Sequence, residues 1–193
     1  MAGEEKKKIS CFYMQGRNVR IPKRASAGNG RIQEANLKNA VWIGAEAFAE
    51  CGNLQRVVMP VQLECIARRT FYKCRRLSEI RLPGNLRCIG EQGFCFCGLE
   101  QVTLPDSLEE ISAGAFLNCK KLREVIVPAS VHKIGKRAFS GCNQLKLLVF
   151  PGEPEEIGEK IANKTCIIAC HRGSAVERYA LENGMEIRYL QET

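Results

Sequence analysis

The sequence of 193 residues contains little histidine and tryptophan, with two residues of the first and one of the second. It also lacks any run of about 18 apolar residues, which argues against a membrane-spanning helix. No apolar stretch long enough for a signal peptide follows the charged first residues. We therefore expect a cytoplasmic protein from the sequence as given, and a cell-surface protein if the sequence is truncated. A content of 45% hydrophobic and 26% charged residues excludes a disordered chain.

Motifs of catalysis and cofactor binding are missing as well. Neither G-x-x-x-x-G-K-[ST] nor G-x-G-x-x-G occurs, and the carboxylates do not pair at any repeated position. Neither His132 nor His171 has a recognisable catalytic context, and we expect His132 to be a solvated surface residue. The sequence therefore predicts a protein that is not an enzyme and has no catalytic residues, metal site or cofactor.

Cysteine and positive charge, in contrast, are abundant. The chain has 11 cysteines and a net charge of +8. Residues 1–30 hold seven basic and two acidic residues, so this segment alone carries +5. A basic segment can bind nucleic acid or an anionic membrane surface, but a solvated terminus is the simpler interpretation. We predict a basic N-terminal cap or tail at residues 1–30.

A repeat of 23 residues organises the rest of the chain. Columns of Phe, Cys, Ile, Pro and Leu recur with this step and agree on one deletion, directly after Cys97. The unit contains two strand-like pieces, as in residues 77–82, where Ile80 and Leu82 are predicted to point inward. One unit cannot bury its apolar side alone, so the units are predicted to stack with parallel sheets. The Phe and Cys columns are Phe48, Phe71, Phe94, Phe116 and Phe139, and Cys51, Cys74, Cys97, Cys119 and Cys142.

The pattern I-G-x-x-A-F-x-x-C-x-x-L resembles the BspA-like leucine-rich repeat, a bacterial class of 23-residue repeats. Copies include IGAEAFAECGNLQRVVMP and IGKRAFSGCNQLKLLVFP, and the resemblance covers about residues 40–160. The run GSAVERYALENGMEIRYL also resembles the closing segment of this family, and residues 9–24 resemble its opening hairpin more weakly. The resemblance implies a curved solenoid that binds proteins or surfaces.

The predicted fold is therefore a β-rich leucine-rich repeat solenoid of stacked 23-residue coils with parallel β-sheets. The array is predicted at residues 31–160, with about five full coils and degenerate coils at its ends. A helix–strand cap is predicted at residues 161–193. Ser174 and Glu177 form a capping-box pattern that opens the helix. The helix is predicted to turn four side chains inward: Val176, Tyr179, Ala180 and Leu181.

The cysteines of the column are expected to pack as buried, unreactive thiols. Cys65 and Cys88 lie one period apart and are predicted neighbours on adjacent coils. In-register parallel neighbours rarely orient their Cβ atoms for a disulfide, so we expect this pair to stay reduced. Cys166, Cys170 and His171 could supply half of a zinc site, but no second pair is evident and a structural role is favoured.

The outward side chains of the first strand are the candidate binding site, because this strand lines the concave face in leucine-rich repeat solenoids. Ile126, Leu147 and Val149 could form a small apolar patch. Their presence is explained equally well by the preference of branched residues for exposed strands. The candidate partner-binding residues are Val58, Arg81, Thr103, Ile126 and Val149 in one column, and Arg56, Glu79, Gln101, Glu124 and Leu147 in the next.

These features together predict a non-enzymatic protein–protein interaction module that binds a partner through the concave face. One alternative is a cell-surface or adhesion-type repeat protein. Another is a basic scaffold for nucleic acid or an anionic polymer, suggested by basic dipeptides such as Arg75-Arg76 and Lys120-Lys121. Nucleic acid is less favoured because acidic residues interrupt the basic stripe and most phenylalanines belong to the core. The partner's identity stays open, and a monomer is expected.

Overall fold

The computed structural model describes residues 10–13 and 15–191 of the chain. Over these residues it forms a parallel β-solenoid of about eight turns with one short helix near the C-terminal end. The predicted stack of coils with parallel sheets is confirmed. Residues 1–9 of the predicted basic cap and residues 192 and 193 of the predicted C-terminal cap lie outside the described part.

Most complete coils contribute a first and a second strand, and the two kinds of strand lie in separate sheets. Where strands of adjacent coils pair, they are parallel and, in the middle and C-terminal coils, in register, so equivalent residues of the repeat are direct neighbours. The first strands, including those of the C-terminal cap, are β1 (Cys11–Tyr13), β3 (Glu34–Asn36), β5 (Arg56–Val58), β9 (Glu124–Ile126), β11 (Leu147–Val149), β13 (Ile167–Cys170) and β14 (Ile187–Tyr189). The second strands are β2 (Val19–Ile21), β4 (Ala40–Ile43), β6 (Cys65–Ile66), β7 (Cys88–Ile89), β8 (Glu110–Ile111), β10 (Lys133–Ile134) and β12 (Glu156–Ile157).

Pairing among the first strands stops after β5 and resumes at β9. In the two coils between them, an isolated bridge joins Arg81 to Thr103. The strand predicted at residues 77–82 has the expected side-chain directions, since Ile80 is buried and Arg81 is exposed. The prediction of regular strand pairing there is wrong. Pairing is missing on both sides of this bridge, between β5 and residues 79–81 and between residues 101–103 and β9, and the short turn after Cys97 lies between the two bridged coils.

A column of stacked phenylalanine rings runs through the core. Neighbouring rings of the column have centroids 5.2–5.8 Å apart and are nearly parallel. Each of the five rings is fully buried. The ring of Phe12 packs edge-on against Phe48, with centroids 5.0 Å apart, and closes the N-terminal end of the column. This column supplies the largest side chains of the core and explains why Phe recurs with the period of the coil.

Tight turns form the remaining side of each coil. Around Phe94, the backbone of Gln92 and Phe96 is left-handed, with φ of 55° and 59°. The turns of adjacent coils are joined by backbone hydrogen bonds, such as that from the Phe94 N–H to the Ala115 carbonyl at 2.8 Å. Left-handed backbone is costly for a large side chain, so these turns depend on the bonds to neighbouring coils.

Both ends of the array are closed by packed segments. At the N-terminal end, β1 and β2 do not form a hairpin; they pair in parallel with β3 and β4 of the next coil. At the other end, the helix α1 (Ala175–Glu182) begins at Ser174, whose hydroxyl accepts a hydrogen bond from the Glu177 N–H at 3.0 Å. The predicted capping interaction is confirmed. Leu181 is 63% exposed, however, so its predicted inward orientation is wrong.

In the part of the chain that the structure describes, no helix combines the length and the apolar character that crossing a membrane requires.

Candidate functional site

The outward side chains of the first strands form one continuous surface, which we call the first-strand face. The structure brings the ten predicted partner-binding residues onto this face. Eight of them are exposed, and Leu147 and Val149 are half-buried. In the pairing of β9 with β11, Ile126 lies beside Val149 and Glu124 lies beside Leu147. The exposed members are Arg56, Val58, Glu79, Arg81, Gln101, Thr103, Glu124 and Ile126.

Two grooves open over this face. One has a volume of about 840 Å³ and is lined by residues of three coils, from Arg56 to Thr103. The other, of about 900 Å³, extends from Glu100 to Pro151. Both include Gln101, Val102 and Thr103 in their walls, so they adjoin over the middle of the face.

The grooves lie where the first strands are not paired. Core residues at this break are slightly accessible: Val57, Ile80 and Val102 are each 8% exposed. The equivalent residues of the paired strands, Val125 and Leu148, are 1% and 0% exposed. The missing strand pairing therefore opens the face toward the core. Regular repeats would not predict this opening.

The character of the face changes along the solenoid. Toward the N-terminal coils it is charged, and an ion pair joins Arg56 to Glu34 of the preceding coil at 2.7 Å. Toward the C-terminal coils the column that contains Ile126 and Val149 is apolar, while Glu124 of the next column is exposed beside it. A partner that lay along the face would meet charge at one end and apolar surface at the other.

Ion pairs elsewhere on the surface also join neighbouring coils. Arg87 donates two hydrogen bonds to the Glu109 carboxylate, both at 2.9 Å. Lys121 contacts Glu100 at 3.0 Å, and with Arg123 nearby it lowers the pKa of that carboxyl group. Such exposed pairs contribute little stability individually. Their acids and bases are occupied by each other, so they do not form a catalytic cluster.

The five column cysteines are buried, as predicted, and each thiol donates a hydrogen bond to a carbonyl of the preceding coil. For Cys97 the acceptor is the carbonyl of Phe71, at 3.0 Å. Burial raises the pKa of the Cys51 and Cys142 thiols to about 12. Thiols that hold their protons this strongly are poor nucleophiles, which supports a structural role.

Cys65 and Cys88 form a disulfide in the structure. The two residues pair directly between β6 and β7, and their Cα atoms are 4.7 Å apart. That distance lies in the range that a disulfide requires. The expectation of a reduced pair is wrong, because the outward side chains of this parallel pair do converge.

The remaining polar candidates show no assembled site. His132 is exposed, as predicted, while Cys166 and Cys170 are buried. Burial raises the pKa of Cys166 to about 12, which disfavours the thiolate that a metal needs. Within residues 10–13 and 15–191, no group of three or more His, Cys, Asp or Glu side chains is arranged to hold a metal ion.

Comparison with known proteins agrees with this architecture. A family model described as the BspA type leucine rich repeat region matches six copies over residues 41–168. The chain belongs to the BspA-type leucine-rich repeat family. Leucine-rich repeat proteins of this kind are generally interaction or surface proteins and are typically not enzymes. No sequence among the curated proteins matches the chain.

Solved structures of bacterial leucine-rich repeat proteins share the fold. The leucine-rich repeat protein of T. pallidum is 29% identical with a TM-score of 0.66, over 88% of this chain and 78% of that chain. A leucine rich cell surface protein from Faecalibacterium prausnitzii is 25% identical with a TM-score of 0.53, over 69% of this chain and 43% of that one. A protein from Bacteroides ovatus, 15% identical with a TM-score of 0.50, covers 90% of this chain and 88% of its own and shows the fold alone.

Proposed function

We propose that this leucine-rich repeat protein binds a protein partner through the first-strand face and catalyses no reaction. The observation that carries the proposal is the pair of adjoining grooves lined by eight of the ten predicted residues, both bordered by Gln101, Val102 and Thr103. Val58 and Ile126 are 45% and 55% exposed on this face although the core does not need them. Exposed apolar side chains in a groove with a charged border are typical of a protein-binding surface.

The groove fits an extended segment of the partner. Paired coils are about 4.8 Å apart and the unpaired coils are not held at this spacing, so the four steps from Val58 to Val149 span at least about 19 Å, the length of about six extended residues. A segment of this length would place its apolar side chains over Ile126 and Val149 and its charged side chains over Arg56, Glu79 and Arg81. The partner proposed here therefore presents an extended stretch with one apolar and one charged end.

The test is affinity purification of partners followed by direct binding of the purified partner. The double variant Ile126→Asp/Val149→Asp places two carboxylates on the apolar half of the face. We expect it to weaken binding at least tenfold, which corresponds to about 1.4 kcal/mol. Val41→Asp is the matched control, since Val41 is a similarly exposed valine on a second strand. Unchanged affinity of the double variant, or an equal loss in the control, would refute the proposed binding face.

A surface-exposed location is a second candidate for the setting in which this protein binds. The disulfide between Cys65 and Cys88 favours it, because disulfides persist mainly in oxidising compartments. The F. prausnitzii structure, described as a cell surface protein, supports it as well. Labelling intact cells with a membrane-impermeant biotin ester tests this location: recovery of the biotinylated protein supports the surface setting, and labelling only after lysis contradicts it.

A further inference from the structure

The turn after Cys97 leaves a notch in the surface of the array. Every other complete copy has two residues between the column Cys and the following Leu, whereas this copy has Gly98 alone. The copy therefore lacks two side chains that its neighbours have. The structure contains a cavity of about 370 Å³ at this place, with Gly98 in its wall. The notch thus has a simple origin in the sequence: one deleted residue and one glycine.

Gly98 fits because its backbone lies against the preceding coil. A Cβ atom at this position would lie 2.3 Å from the carbonyl oxygen of Arg75, which is far inside contact distance. A residue with a side chain could not take this position without moving the Arg75 backbone. Because of this close approach, the short turn extends less far from the solenoid than the turns of the two flanking coils, which form the sides of the notch.

The two flanking coils carry basic dipeptides at the corresponding positions, namely Arg75-Arg76 before the notch and Lys120-Lys121 after it. The copies farther away have neutral pairs instead, Gly52-Asn53 and Asn143-Gln144. Within the array, basic pairs in this turn therefore occur only beside the deletion. Arg75, Arg76, Lys120 and Lys121 are all exposed.

The walls of the notch are cationic and polar. Arg75, Arg76 and Lys121 line it, together with Gln55 and Ser78, and no carboxylate is among the lining residues. Glu100 lies at its border, where it contacts Lys121 at 3.0 Å. The three basic residues of the lining thus exceed the one acid that contacts them. Guanidinium groups present paired N–H donors that match phosphate oxygens, and the amide and hydroxyl groups supply further donors.

We propose that this notch binds a diphosphate group carried by a soluble small molecule. The two basic dipeptides lie two coil spacings apart, which is about 10 Å. Arg75 and Arg76 line the notch from one side and Lys121 from the other, a spacing that matches two linked phosphoryl groups better than a single one. The charge excess also matches a diphosphate, which carries several negative charges at neutral pH. This site is separate from the first-strand face and does not depend on the function proposed for it.

The experiment is calorimetric titration of the protein with inorganic pyrophosphate at low ionic strength. We expect saturable binding with one pyrophosphate per chain. The variant Arg75→Ala/Arg76→Ala should weaken binding at least tenfold. The matched control Lys136→Ala/Arg137→Ala removes another basic dipeptide of the array and should change the affinity less than twofold.

A second variant fills the notch without removing any charge. Insertion of Asn after Gly98 gives the sequence Cys-Gly-Asn-Leu, which copies the turn from Cys51 to Leu54. We expect this insertion to abolish pyrophosphate binding, with folding checked by circular dichroism. If it prevents folding, the paired alanine variants alone decide the outcome.

Several outcomes would overturn the proposal. They are an absence of saturable binding, an equal loss of affinity in the two dipeptide variants, and sulfate binding as tightly as pyrophosphate. Binding of single-stranded DNA that pyrophosphate fails to displace would also overturn it, since the site would then belong to a polymer. Competition by pyrophosphate together with selective loss in Arg75→Ala/Arg76→Ala would support it.

Discussion

Replacement of Phe94 by alanine tests the central physical claim about this solenoid, that the ring column holds the coils together. Phe94 is fully buried, and its ring is stacked between those of Phe71 and Phe116 with centroids 5.4 Å away on both sides. Removal of a buried phenyl ring costs about 3–5 kcal/mol through lost burial and the cavity that remains. Because each coil contacts only its neighbours, both interfaces of this coil lose their largest contact. We therefore expect a loss in the upper part of that range.

The measurements are denaturant and thermal unfolding of Phe94→Ala and of the unchanged protein, both monitored by circular dichroism. In a chain of this size, 1 kcal/mol shifts the Tm by about 2–4 °C, so the expected change in Tm is roughly 8–20 °C. The slope of the transition must be compared as well, since loss of a central contact can uncouple the two halves of a repeat protein. A broadened or two-step transition would itself show that the column transmits cooperativity.

Phe96→Ala is the matched control, because it removes the same ring two residues further along. Phe96 is only half-buried and makes one edge contact with Tyr72, with centroids 6.1 Å apart. The backbone at residue 96 is left-handed with Phe or with Ala, so the conformational cost of this backbone is the same in the variant and in the unchanged protein. We expect a loss of about 1 kcal/mol. An equal loss in Phe94→Ala and Phe96→Ala, or a loss below about 1 kcal/mol in Phe94→Ala, would refute the role given to the column.

Three further predictions concern the thiols and the surface ion pairs. The unfolded but unreduced protein should show nine free thiols among its eleven cysteines, and eleven thiols before reduction would contradict the disulfide. Reduction should lower the free energy of unfolding by about 3 kcal/mol, because the disulfide closes a loop of this length. Burial raises the pKa of the Cys142 thiol to about 12 from 9.0. The stabilisation of the folded state by the buried, protonated thiol is therefore complete below pH 9 and is lost as the pH rises toward 12, by up to about 1.4 kcal/mol per pH unit. Unfolding free energies at pH 8 and pH 10 should therefore differ less in Cys142→Ala than in the unchanged protein, and an identical difference in both would count against this linkage. A double-mutant cycle on Arg87 and Glu109 should give a weak coupling that decreases with salt, and a strong, salt-independent coupling would contradict the exposed character of the pair.

The repeat predicted the stacking of coils because all five columns of recurring residues have the same period. Residues one period apart become direct neighbours, so any residue type that packs well against itself recurs with that period. Phe stacks on Phe and Ile on Ile, and the register of the sheets follows from this. The cap helix was predictable for a different reason. The hydroxyl of Ser174 accepts a hydrogen bond from the Glu177 N–H, one of those that every helix start leaves free. The Glu177 carboxylate accepts another from the N–H of Gly173, just before the helix, so a local pattern was sufficient.

Backbone pairing and side-chain direction were harder to predict. The alternation around Ile80 reports which side chains point inward, and this survives in the structure. It carries no information on the separation of adjacent coils, which decides whether strands pair. The disulfide shows the same limit, because the period makes Cys65 and Cys88 neighbours without fixing the direction of their Cβ atoms. The N-terminal coil was not predicted, because Ser26 occupies the position that Phe has in the other coils. Phe12, from the first strand, packs against the end of the phenylalanine column instead.

The deletion after Cys97 links the two proposed sites, and this determines how they can be tested. Gly98 forms the notch, and the same short turn leads directly into Gln101, Val102 and Thr103, which both grooves of the first-strand face share. Insertion of Asn after Gly98 is therefore expected to fill the notch and also to move the backbone that leads into these shared residues. If the shared wall of the two grooves moves with it, partner binding should weaken along with pyrophosphate binding. The variants Arg75→Ala/Arg76→Ala and Ile126→Asp/Val149→Asp change one site each, so a loss confined to one ligand identifies which of the two sites is real.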